Sequence, residues 1–361
     1  ENGDKQRPYI IHRTSMGCYE RTLAWLIEKY AGMFPTWLCP EQVRVIPISE
    51  KFNDYAQKVE AQMKFGWEID HYCVNDAVEY VNAVSEGDVN ALVEEYYSKY
   101  QILPEGRDPE EFRAHVAAQA KIEIGLEKFL EDGDYHAIVT HFGMLGGLQQ
   151  LPGLAIQRLM EKGYGFGGEG DWKTAAMVRL MKIMAAGVPD AKGTSFMEDY
   201  TYNLVPGKEG ILQAHMLEVC PTIAEGPISI KVQPLSMGNR EDPARLVFTS
   251  KTGPAVATSL VDLGNRFRLI INAVDCKKCE KEMPKLPVAT AFWTPQPSLE
   301  IGAEAWILAG GAHHTAFSYD LTVDQMVDWA AAMGIESVVI DKDTTIRSFK
   351  NELKWNSVYY R

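Results

Sequence analysis

The sequence predicts an α/β chain: a parallel-sheet α/β domain over residues 63–190, then a mainly antiparallel, barrel-like β domain over residues 191–361 that ends with a C-terminal helix. Three observations predict it. Helix-like and strand-like stretches alternate from Phe65 to about Asp190, the rhythm of parallel strands joined by crossovers. Beyond Gly193, short apolar runs follow one another with turn residues between them, which favours an antiparallel sandwich or a small barrel. A capping signal at Thr322 marks a late helix. A shorter α/β segment over residues 1–62 stands apart from both domains.

That first segment reads as a strand at Tyr9–His12, a helix at Glu20–Tyr30, a strand at Val43–Pro47 and a helix at Asn53–Met63. Pro35, Pro40 and Pro47 break the linker between its helices into extended pieces. In the α/β domain, Asp108-Pro109 is a helix start, with Asp as N-cap and Pro in the first turn. This helix runs through Ile122 and Leu126 to Leu130. Ala137–Thr140 is a short buried strand, Gly153–Lys162 a helix, and a further helix runs from Trp172 to about Ala186. In the β domain, strands are expected at Ile211–Val219, Ile228–Val232, Arg245–Thr249, Val256–Leu263, Phe267–Val274 and Ala305–Leu308. Asp262-Leu-Gly-Asn265 is the hairpin turn between two of them. Thr322 and Gln325 form a capping box for a helix to about Met333, which leads into a strand at Ser337–Ile340.

Bulk properties exclude several classes. Apolar residues make up 46% and charged residues 24% of the 361 positions, an ordinary globular balance. A net charge of -13 argues against a nucleic-acid partner, whose phosphates need clustered Lys and Arg. No run approaches the roughly 20 apolar residues of a membrane span, and the polar start Glu1-Asn-Gly-Asp-Lys5 is no signal peptide. Of the six cysteines, only Cys276 and Cys279 are close in sequence. That is no disulfide framework, so a reduced, cytoplasmic setting is expected.

Chemistry concentrates in four settings: Gly-Gly-Glu169-Gly-Asp-Trp, Phe-Met-Glu198-Asp-Tyr, Ala-His215-Met-Leu-Glu and Gly-Gly-Ala-His313-His314-Thr. Two carboxylates with one or two imidazoles form a mixed oxygen and nitrogen set suited to Mn²⁺, Co²⁺ or Mg²⁺. The same carboxylates could move protons on a bound substrate. Their separations match no short metal motif. His215 by itself reads more readily as a half-buried strand histidine satisfied by a neighbour, and neighbours on a strand point to opposite faces, so only one of His313 and His314 easily reaches an ion. Asp171 and Lys173 are supporting partners of Glu169 or simply a charged helix start. Gly165-Phe-Gly-Gly-Glu-Gly170 satisfies the G-x-G-x-x-G spelling of a dinucleotide loop, but a helical pattern precedes it where a strand is required. The glycines are expected instead to turn the backbone tightly and present Glu169. Cys276-Lys-Lys-Cys279 lacks a second pair or nearby histidines and reads as surface loop cysteines.

Long runs then carry a resemblance: Glu60-Ala-Gln-Met-Lys-Phe-Gly-Trp67, Gly87-Asp-Val-Asn-Ala-Leu92, Leu151-Pro-Gly-Leu154, Tyr164 to Ala175, Gly193 to Tyr200, His215 to Pro221 and Gly310 to Thr315. From about Lys58 to Arg361 the chain resembles L-arabinose isomerase, without that family's N-terminal domain. The resemblance implies that Glu169, Glu198, His215 and His314 bind a divalent ion, usually Mn²⁺, with His313 in a supporting place. It implies that Glu169 and Glu198 are acid and base in converting L-arabinose to L-ribulose through an enediol. It sets Phe142, Tyr200 and Met216 around the sugar, though each also reads as ordinary packing. A small-molecule sugar substrate and a homo-hexamer follow from the same family, with closure and assembly impaired by the missing domain. A non-catalytic metal- or sugar-binding remnant is the alternative.

The start of the chain resembles a different family. Asn2-Gly-Asp-Lys-Gln-Arg-Pro-Tyr-Ile-Ile-His12-Arg, Gly17-Cys-Tyr-Glu20-Arg21 and Trp37-Leu-Cys-Pro-Glu-Gln-Val-Arg-Val-Ile-Pro-Ile48 look like the end of the class II catalytic domain and the start of the anticodon-binding domain of threonyl-tRNA synthetase. There Arg21 would contact ATP and His12 would be one of three zinc ligands. One ligand binds zinc poorly, so ligase activity is expected to be absent. The two resemblances meet at Lys58-Val-Glu-Ala-Gln62, a pentapeptide that fits both, which points to a chimera with a foreign N-terminal fragment.

Overall fold

The computed structural model describes residues 64–360 apart from 236, 282 and 284, together with 29, 58, 61 and 62. The elements expected over residues 1–62, with His12 and Arg21, therefore lie outside the described residues, except that Lys29, Lys58, Ala61 and Gln62 are helical. The chain divides into two compact units, Glu1–Asp70 and His71–Arg361. The second contains every isomerase-like site residue singled out above.

It opens with helices α1 (Val74–Ala83), α2 (Glu86–Lys99) and α3 (Pro109–Asp132), with a two-residue strand β1 (Gln101–Ile102) between the last two. Asp108 caps α3 as expected: its Oδ1 accepts from the amides of Glu110 and Glu111 at 3.0 and 3.1 Å. Then come β2 (Ala137–Thr140), α4 (Gly153–Glu161), β3 (Gly165–Gly168) and α5 (Trp172–Met184). β2 and β3 form a two-stranded parallel sheet, with Ala137 opposite Gly165 and Thr140 opposite Gly168. Inside α3, the fully buried Glu123 accepts from the Tyr96 hydroxyl at 2.5 Å and pairs with Arg158 and Lys162. These contacts tie α2, α3 and the end of α4 together.

The β-rich part holds β4 (Thr194–Asn203), β5 (Gly210–Ala214), β6 (Ala224–Val232), β7 (Ala244–Ser250), β8 (Gly253–Asp262), β9 (Phe267–Cys276), β10 (Thr290–Pro295), α6 (Leu299–Ala309), β11 (His314–Ser318), α7 (Val323–Ala332), β12 (Glu336–Ile340) and α8 (Ile346–Tyr359). The strands run in the order β1-β6-β7-β10-β5-β4-β11-β8-β9-β12, and β10 also pairs with β9. That extra pairing closes β10, β5, β4, β11, β8 and β9 into an all-antiparallel barrel. Closure removes free sheet edges. Met197, Ala257, Val274, Trp293 and Phe317 fill its interior, where the Trp293 and Phe317 rings stack at 5.0 Å. The Asp262 turn and the Thr322–Gln325 capping box both form: Gly264 takes φ 83° and Thr322 accepts from the Gln325 amide.

Several expectations need correction. Ala305–Leu308 is not a strand but part of α6, which Ser298 caps at Ile301 and Gly310 ends at φ 87°; a short apolar run cannot separate the two states. β5 stops at Ala214, and His215–Val219 leave the sheet. Cys276 is not a surface loop residue: it is 4% exposed at the end of β9, and burial pushes its thiol up to about 12.

The glycines of Gly165–Gly168 form a buried strand rather than a turn. A Cβ on Gly165 would lie 2.2 Å from the Ala175 carbonyl oxygen, and one on Gly167 2.1 Å from that of Asp171. Glycine is therefore required because α5 lies directly on the strand backbone. Gly167→Ala must push α5 away. Its expected cost is about 1–3 kcal/mol, read as a lower denaturant midpoint at unchanged slope.

Candidate functional site

The site lies where the parallel β2–β3 pair ends against the outer face of the barrel. Along β4, Met197 joins the barrel core while Phe196 packs outward on Phe166 at 5.2 Å. Period-2 alternation then turns Glu198 outward with Phe196. Antiparallel pairing sets His314, the first residue of β11, directly opposite Glu198, and sets Ala214 opposite Glu198 on its other side. His215 follows Ala214. The Phe196 ring lies 4.9 Å from both the His215 and His314 rings, whose centroids are 5.9 Å apart.

Glu169 arrives from β3. Its amide donates to the Thr140 carbonyl at 2.7 Å, so it is pinned to the end of β2. Its φ is 58° and that of Gly170 is 91°, which turns the chain sharply from β3 into α5. A left-handed glutamate is strained by about 1–2 kcal/mol, and such strain gathers at functional positions. Gly168, just before it, is the hub. A Cβ there would lie 3.2 Å from His215 Nε2 and 3.4 Å from His314 Cε1. Glu169, His313 and His314 bring ligand atoms within 4.8 Å of one another.

Glu198 and His215 lie outside that tight group, yet both contribute to its field. Burial opposes charge on the His215 ring, but the carboxylate of Glu218, with Glu198 and Glu169 behind it, holds its pKa above the ordinary imidazole value. His215 Nδ1 lies 2.6 Å from Glu218 Oε2. Asp171 caps α5 through Oδ1, accepting from the Thr174 amide at 3.0 Å, while its Oδ2 accepts from the Thr174 hydroxyl and stands 3.5 Å from His314 Nδ1. Burial pushes the Asp171 carboxyl up, but His314 and Thr174 outweigh it and hold it below the usual carboxylate range. Asp171 is thus both helix cap and partner of a site histidine. Lys173 stands beside the Trp172 ring instead, at 5.1 Å.

His313 departs from the alternation argument. It precedes β11 rather than lying in it, so its ring sits beside that of His314 at 4.1 Å instead of on the opposite face. Of the three residues expected around a sugar, Met216 follows His215 and is half-buried, and Tyr200 sits at a bulge in β4, 37% exposed, just beyond Glu198. Phe142 lies two residues past the end of β2, stacked on His141 at 4.8 Å. Sequence reasoning passed over Glu218, although it stands in the quoted His215-Met-Leu-Glu218 run; only the turn after β5 brings its carboxylate back to the ring.

A carboxylate and imidazole cluster at the carboxyl ends of parallel strands, backed by a closed barrel, defines an enzyme-type α/β-plus-barrel protein. Residues 53–187 match the model of the L-arabinose isomerase central domain, and residues 193–336 that of the L-arabinose isomerase C-terminal domain. An L-arabinose isomerase of Geobacillus stearothermophilus is 57% identical over 89% of this chain and 63% of its own length. L-arabinose isomerase 1 of Bacillus licheniformis is 53% identical over 100% of the chain and 74% of its own length. The L-arabinose isomerase of Bacillus subtilis is 50% identical over the same shares. The chain belongs to the L-arabinose isomerase family, and it spans a little under two thirds of the first of these relatives. Among the described residues no helix is long and apolar enough to cross a membrane.

The backbone at Glu169 generates a prediction of its own. Glu169→Gly relieves the left-handed strain but adds freedom to the unfolded chain. The expected net gain is about 0.5–1 kcal/mol, measured by chemical denaturation in the presence of chelator.

Proposed function

We propose that this chain is a metal-dependent aldose–ketose isomerase, converting L-arabinose to L-ribulose through an enediol, in the cytoplasm. Glu169, Glu198, His215 and His314 would hold the ion, Mn²⁺ with Co²⁺ or Mg²⁺ as substitutes. The observation that carries this is the meeting, at Gly168, of residues from four separate segments: His215 Nε2 and His314 Cε1 beside the place a Cβ on Gly168 would take, Glu169 next in the chain, and Glu198 opposite His314.

These residues fit such an ion. His314 Nε2 is buried and has no protein partner among the described residues. Gly168 leaves open the space a Cβ would fill. Carboxylate oxygens with imidazole nitrogens suit a borderline-hard divalent ion. When bound, the ion would stabilise the negative charge that develops on the two adjacent sugar oxygens.

The protein's own part is proton transfer. One of Glu169 and Glu198 takes the C2 proton and the pair returns one to C1, while the O2 hydroxyl proton passes to O1, so that C2 becomes the carbonyl, C1 carries the hydroxyl and no net charge is left on the sugar. A positioned carboxylate of this kind is worth roughly 10²–10⁴ in rate. Phe142, Tyr200 and Met216 would line the sugar and keep water from the exchanging proton. Glu169→Gln and Glu198→Gln should each lose nearly all ketose formation from L-arabinose. Chelation should abolish the activity of the unaltered protein and added Mn²⁺ should restore it. Retained turnover in either variant would reject the assignment.

We further infer that residues 1–62 derive from a threonyl-tRNA synthetase, joined at Lys58–Gln62 and without ligase activity. The synthetase-like runs support this; the isomerase central-domain match, which already begins at residue 53, weighs the other way. So do the matches to the Bacillus licheniformis and Bacillus subtilis relatives, which both take in the whole chain. A single amplicon spanning Lys58–Gln62 from source DNA decides: an assembly join predicts no intact product, and an intact one means the chain is encoded as it stands.

A further inference from the structure

We propose that Glu218 and Asp171 are positioning residues for the two site imidazoles, Glu218 holding His215 and Asp171 holding His314 so that both Nε2 atoms face one divalent cation. The inference rests on the proposed metal site and deepens it.

The geometry is asymmetric in the same way at both rings. His215 presents Nδ1 to Glu218 at 2.6 Å and Nε2 toward Gly168. His314 presents Nδ1 to Asp171 at 3.5 Å, while its Nε2 is buried without a protein partner among the described residues. An ionised carboxylate only accepts, so the shared proton belongs on Nδ1. A neutral ring protonated at Nδ1 keeps its lone pair on Nε2. Carboxylates in this position fix both tautomer and ring angle for a metal ligand.

Both carboxylates are themselves immobilised. Glu218 is 4% exposed and sits three residues after His215 in a turn that α4 pins at two points. Leu217 packs so closely on Gly153 that a Cβ there would meet its side chain at 2.8 Å, and the Gln157 side chain donates to the Val219 carbonyl at 3.1 Å. The buried Arg245 adds positive charge toward Glu218. Asp171 is fixed by its two bonds to Thr174. Neither carboxylate needs to move for its ring to be set.

The test is Mn²⁺ binding to the metal-free full chain, by calorimetric titration and by the Mn²⁺ electron paramagnetic resonance signal. Glu218→Gln keeps side-chain shape, and Asp171→Asn keeps an N-cap, since Asn caps as well as Asp. Each variant should bind Mn²⁺ about 10–100-fold more weakly than the parent. In a His215→Ala background, Glu218→Gln should add no more than about a twofold loss, because the ring it positions is gone. Parent-like affinity in both variants, or an undiminished loss in the His215→Ala background, would overturn the inference while leaving the metal site standing. A parent chain that binds no Mn²⁺ would instead reject the metal site, and this inference with it. Should Glu218→Gln fail to fold, Asp171→Asn decides on the same scale.

Discussion

The in-register pairing of β4 with β11 is the constraint on which the site depends. It sets Glu198 opposite His314, and it does so on the outer face of a barrel whose inner face is packed by Met197 and Phe317. Side chains alternate with a period of two, so a slip of one residue would carry both site residues into an apolar interior and expose the core in exchange. The aromatic core and the polar site therefore enforce one another. Barrel closure through β10 and β9 makes such a slip costlier still, because every strand of the ring would have to shift with it;.

Against that fixed face, the α/β layer needs to deliver only one element with accuracy: the turn from β3 to α5. The glycine strand lets α5 approach at backbone distance, and the Glu169 amide locks the turn to the end of β2. The left-handed φ at Glu169 is a local cost, and the surrounding contacts over-determine it. Glu198 and His314 thus stand on paired strands, while Glu169 and His215 occupy short turns that begin directly at the ends of β3 and β5.

Which parts of this were legible in the sequence follows from where the determining forces act. The Asp108-Pro109 start, the Thr322–Gln325 capping box, the Ala137–Thr140 strand and the Asp262–Asn265 turn rest on neighbouring residues, and each appears where expected. The Gly165–Gly168 strand was misread because glycine disfavours strands and is chosen here for a helix approach visible only in the assembled layers. β4 and β11, which carry Glu198 and His314, gave no alternation clear enough to read, because both of their faces are buried near the site. Glu169, Glu198, His215 and His314 were reached through resemblance, since nothing in their spacing shows that they meet. Glu218 lies three residues from His215 in the sequence, but only the turn after β5 brings its carboxylate to the ring.

The same placement separates the site from the origin of the first sixty residues. Every side chain that builds it, from the Thr140 anchor to His314, lies within His71–Arg361, and the contacts that fix those side chains run through α4, α5, β3, β4, β5 and β11. The proposed ion site therefore lies within this unit. Sugar turnover asks more, because proton exchange between carbons must be shielded from solvent and Tyr200 at the rim is still 37% exposed. The proposed metal affinity and the proposed isomerisation thus ask for different amounts of structure. A chain with intact affinity and weak turnover would locate its deficit at the sugar's outer wall, not at the carboxylates and imidazoles around Gly168.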